Sequence, residues 1–179
     1  MSLRRFYQTL ALDKDDNVDW GFISIPVPYV QEGEPDVLSR FQQRNFQFTE
    51  VPAAALPFVI ALMLSDEGPR LTPDALRQRR VPLTVAALRE SAAFSRLEVA
   101  EQIVAQPLIL FEHSPVEATS LGQLASEPEF DGARAQVFVA TSGETSILFV
   151  KHPRVVVIGG IADALRGLNW RSLIDWVLN

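Results

Sequence analysis

The sequence predicts an α+β fold. One mainly antiparallel sheet, built from N- and C-terminal strands, packs against a helical middle and C-terminal helices. Three observations lead there. Runs of β-prone residues bounded by turn chemistry cluster before residue 52 and after residue 134. Helix signals fill most of the stretch between them, with capping residues and apolar side chains at helical spacing. No linker rich in Gly, Ser or Pro divides the chain, so residues 1–179 are expected to form a single globular domain.

The elements follow in order. Residues 3–12 and Trp20-Gly21-Phe22-Ile23-Ser24-Ile25 flank the polar stretch from Asp13 to Asn17, which predicts a β-hairpin. Pro26 and Pro28 then end regular pairing, because proline has no N–H to give a ladder. Val37, Leu38 and Phe41 share one side of a short helix over 35–44. Residues 46–51 alternate at period two, as a half-buried strand does. The run from Ala53 to Leu64 is apolar almost all round, which predicts a central helix with Pro57 in its first turn. Thr72-Pro73-Asp74 opens another helix, which Pro82 prevents from running past Arg80. Short helices over 83–93 and 95–105 follow, then a strand over 108–111 and a short helix over 120–126.

The last third returns to strands. Residues 135–140 and 146–150 flank Thr141-Ser142-Gly143-Glu144-Thr145, a hairpin signal. His152-Pro153 turns the chain into Val155-Val156-Val157-Ile158, and Gly159-Gly160 is expected to turn it again into the final helices. Apolar residues recur at helical spacing from Ile161 to Leu168 and from Trp170 to Val177, so deleting residues 170–179 is expected to destabilise the domain. The sheet is expected to carry its helices on one face.

Composition narrows the chemistry. The chain of 179 residues is 47% hydrophobic and 21% charged, which suits a folded core rather than disorder. It has no cysteine, which excludes disulfides, thiolate nucleophiles and cysteine-ligated metals. Arg4 and Arg5 lead into Phe6-Tyr7-Gln8-Thr9 rather than a continuous apolar core, so no secretory signal is read there. The longest apolar run, Val51 to Leu64, is shorter than the roughly 20 residues of a bilayer span and contains two prolines. A cytoplasmic protein without a membrane partner is expected.

Four motifs point toward chemistry and fall short of it. Asp13-Lys14-Asp15-Asp16-Asn17-Val18-Asp19 spaces oxygen ligands like the start of a calcium loop. Valine then stands where that loop needs glycine, and Ser24 where it needs a bidentate acid, so a polar turn is expected and no metal. The strand ending in Gly159-Gly160 lacks the third glycine and further parallel strands of a dinucleotide site, so no cofactor is expected. His113 and His152 are the two candidate general bases, with Ser114 or Ser142 as candidate nucleophiles. No Gly-x-Ser-x-Gly elbow or zinc-type histidine spacing accompanies them, and both histidines, lying in turns, are expected at the surface. The acidic pairs Glu32/Glu34, Asp66/Glu67 and Glu127/Glu129 sit beside Gly or Pro, where solvated loops are expected.

Two segments remain as contact surfaces. Between residues 70 and 96 six arginines (Arg70, Arg77, Arg79, Arg80, Arg89, Arg96) face only Asp74 and Glu90. That is a net of +4, which leaves −10 on the rest of a chain whose net charge is −6. Arg77, Arg79, Arg80 and Arg89 are therefore candidates for binding nucleic acid or an acidic partner. The extended apolar stretch Pro26-Val27-Pro28-Tyr29 is a candidate protein contact. The functional expectation is a non-catalytic protein-interaction module of bacterial type, an adaptor, inhibitor or assembly subunit that binds a protein partner or itself. A nucleic-acid-associated protein using the arginine segment is the second reading. A small hydrolase or transferase built on His113 or His152 is the third.

Overall fold

The computed structural model describes residues 7–11, 19–26, 37–65, 74–75, 84–108, 119–126, 134–142, 145–153 and 155–161. Strands β1 (Tyr7–Ala11) and β2 (Asp19–Pro26) form the first hairpin, with Leu10 opposite Trp20 and Tyr7 opposite Ile23. Helix α1 (Val37–Gln43) leads into β3 (Gln47–Val51). A 3₁₀ turn over Ala53–Ala55 runs into α2 (Leu56–Leu64), and Pro57 sits in its first turn, where a missing N–H breaks no helical bond. Next come α3 (Val85–Leu88), a 3₁₀ segment over Ala92–Arg96 and α4 (Leu97–Ala105). β4 (Pro107–Leu108) pairs with β5 (Thr119–Ser120) in a separate two-stranded ladder, and α5 (Leu121–Ser126) follows. Strands β6 (Gln136–Ser142), β7 (Thr145–Lys151) and β8 (Val155–Ile161) close the described chain.

The main sheet has the order β1-β2-β8-β7-β6-β3, and every neighbouring pair is antiparallel. N- and C-terminal strands thus share one sheet, as the sequence predicts. β2 lies between β1 and β8, and β3 pairs on the far edge with β6. Four successive antiparallel pairings leave β2 and β3 pointing the same way. In sequence α1 falls in the crossover from β2 to β3, and its Phe41 lies over Phe149 of β7.

That crossover changes one expectation, because helices lie on both faces. Side chains alternate along a strand. Phe22, Val139, Leu148, Val150 and Val157 point to the face covered by α2, α4 and α5, in one cluster with Leu56, Val59, Ile60, Ile103 and Leu124. Their neighbours Ile23, Ile147, Phe149 and Ile158 point the other way, and they too are fully buried. On that side Phe41 of α1 meets Phe149 edge to face, with ring centroids 4.8 Å apart. Phe48 meets the same ring at 4.9 Å. Such edge-to-face pairs add about 0.5–1.5 kcal/mol each beyond the area they bury.

Local chemistry sets the boundaries of these elements. α1 ends in a Schellman arrangement: Phe46 N–H donates to Phe41 O at 3.1 Å and Asn45 N–H to Gln42 O at 3.0 Å. Asn45 takes the left-handed conformation this needs, at φ 68°. The Phe41 and Phe46 rings, 5.4 Å apart, supply the accompanying apolar contact. α5 opens with a reciprocal capping box. Gln123 N–H donates to Ser120 Oγ at 3.2 Å, and Ser120 N–H donates to Gln123 Oε1 at 3.0 Å.

One expected turn is shorter than its sequence signal, and another proves to be strand. Ser142 still pairs with Thr145, so only residues 143–144 separate β6 from β7. Gly159 and Gly160 lie inside β8, opposite Phe22 and Gly21, and the strand continues to Ile161. A Cβ on Gly159 would come within 3.2 Å of the Phe22 and Trp20 rings. The glycine makes room for two aromatic side chains rather than for a turn. The expected helices beyond residue 161 lie outside the described residues.

Candidate functional site

The described part of the arginine segment is an exposed shelf on the helical layer. Thr84 caps α3, its Oγ1 accepting from Ala87 N–H at 3.2 Å. Ser91 caps the following 3₁₀ segment, its Oγ accepting from Ala93 N–H at 3.2 Å. Leu88 and Ala93 are fully buried and belong to the core cluster that holds α2. These two side chains anchor a segment that otherwise faces outward. Val85 is 44% exposed, Phe94 41% exposed, and Ala86, Ala87, Arg89 and Ala92 are exposed as well. At this exposure Phe94 forgoes part of the roughly 1.5–3 kcal/mol that full burial would contribute.

Charge on this shelf is mixed. Arg89 is exposed and Arg96 half-buried, with the exposed Glu90 between them in sequence. Arg70, Arg77, Arg79 and Arg80 lie outside the described residues. α3 is a single turn, about 6 Å long at 1.5 Å per residue. It is followed directly by the 3₁₀ segment, so residues 84–96 hold no helix long enough to lie along a DNA groove.

The second contact candidate begins at a strand end. Pro26 is the last residue of β2 and pairs with Val155, a position where the absent N–H costs the ladder least. Val27, Pro28 and Tyr29 lie outside the described residues.

His152 is not at the surface. It is 2% exposed, at the turn between β7 and β8. Its N–H donates to Val155 O at 2.9 Å, and Val155 N–H donates back to His152 O at 3.3 Å. Ser142 is at the opposite end of the β6–β7 hairpin. Ser142 pairs with Thr145, whereas Lys151, next to His152, pairs with Gln136. At about 3.3 Å per residue the serine and the histidine are about 23 Å apart, far beyond hydrogen-bond reach. His113 and Ser114 lie outside the described residues, as do the acidic pairs.

Among the described residues, no group of three or more His, Asp or Glu gathers as a metal site would require. Asp19 belongs to β2, opposite Ala11, and the rest of the calcium-like stretch lies outside the described residues. Among the described residues, no helix is long and apolar enough to cross a membrane. The buried side-chain donor left without an acceptor there is Trp20 Nε1. An indole N–H neither titrates nor ligates metals, so it brings packing rather than chemistry.

Sequence reasoning passed over Val85 and Phe94. The burial of Leu88 and Ala93 on the same short segment turns both outward. No protein-family model, curated protein or solved structure matches the chain.

Proposed function

We propose that this chain is a non-catalytic protein-interaction module, an adaptor, inhibitor or assembly subunit that docks through the shelf at residues 84–96. The observation that carries the reading is the exposure of Val85 and Phe94 beside Arg89 on a segment pinned from below by Leu88 and Ala93. Exposed aromatic side chains mixed with arginine are the composition of protein contact surfaces, where such residues act as anchors. A fixed backbone keeps the ordering cost of docking small. The shielding of His152 and its distance from Ser142 withhold support from the hydrolytic alternative built on that histidine.

The test compares the wild-type chain with Phe94→Glu and Arg89→Glu. Both positions are exposed, so each substitution should leave the fold intact. Each protein is purified from its native host at moderate salt, and copurifying protein and nucleic acid are identified. A stoichiometric protein that is lost from Phe94→Glu at an unchanged melting temperature supports the module. A partner retained by both variants removes the shelf from the reading. Nucleic acid that dissociates as salt is raised would instead favour the arginine segment, and alanine at Arg77, Arg79 and Arg80 should then release it.

A further inference from the structure

No further inference is drawn: the strongest candidate, the exposed Val85 and Phe94 beside Arg89 on the helical layer, belongs to the surface already described, and nothing in the structure shows what chemistry covers it.

Discussion

At the scale of single residues, Gly159 separates an anion-binding role from a packing role. A loop glycine near a phosphate tolerates or rejects a methyl group according to the ligand. Gly159 instead faces the Phe22 and Trp20 rings, both fully buried, at a distance that leaves little room for a Cβ. The rings would have to give by a few tenths of an ångström; held where they are, overpacking of this kind costs about 1–3 kcal/mol, so Gly159→Ala should lower stability by up to that amount in urea titration. Phe22→Leu alone should also destabilise, but in the Gly159→Ala background it should recover part of the loss, because the two sites are in contact. Strict additivity of the two substitutions would count against the packing account. Asn45 poses a backbone question instead. At φ 68° an alanine is strained by about 1–2 kcal/mol while a glycine is not. Asn45→Ala should therefore cost about 1 kcal/mol more than Asn45→Gly, and equal losses would show that the left-handed turn contributes little. The asparagine could be seen in the sequence, but its role could not, since the Schellman turn depends on where α1 stops. His152 was misjudged for a related reason. Proximity to proline locates a turn without saying which of its side chains folds inward.

At the scale of elements, the start of α5 was the most legible feature, because its signal is entirely local. Ser120-Leu121-Gly122-Gln123 carries both halves of a capping box within four residues, and both hydrogen bonds form. Ser120→Ala removes the acceptor for Gln123 N–H and should cost about 1 kcal/mol. Ser120→Thr should retain most of the stability, since its hydroxyl can accept the same bond. If the two variants melt together, the cap is not what holds this end. The central α2 was legible for the same kind of reason: apolar residues around its whole circumference require burial on all sides, and Val59 to Leu62 are four consecutive buried residues. The number of covered sheet faces was legible in principle too. β7 and β8 contain Ile147-Leu148-Phe149-Val150 and Val155-Val156-Val157-Ile158, continuous apolar runs of the kind found in strands buried on both sides. A strand with one wet face would alternate. The Gly159-Gly160 pair misled because glycine is a turn signal only until a partner strand supplies aromatic rings that need the space.

At the scale of the whole molecule, the sheet order makes the N-terminal hairpin integral to the core. β2 pairs with β8 across the widest sequence separation in the sheet, Trp20 opposite Ile161, and it brings Phe22 and Ile23 to opposite faces. No local signal carries this pairing, which is why strand order was beyond a reading of periodicity. The two layers of the hairpin should contribute unequally. β1 is an edge strand, so removing residues 1–11 uncovers only one side of β2. Removing residues 1–26 uncovers β8, whose side chains from Val155 to Ile158 are buried on both faces, and takes Trp20, Phe22 and Ile23 from the core. An exposed apolar edge of that kind also invites pairing between chains. The shorter truncation should keep a cooperative urea transition at a lower midpoint, followed by circular dichroism. The longer one should lose cooperativity or aggregate, because the deleted core side chains are each worth about 2–5 kcal/mol against a total stability of about 5–15 kcal/mol. A cooperative transition with an unshifted midpoint after deletion of residues 1–26 would mean that β2 does not sit between β1 and β8.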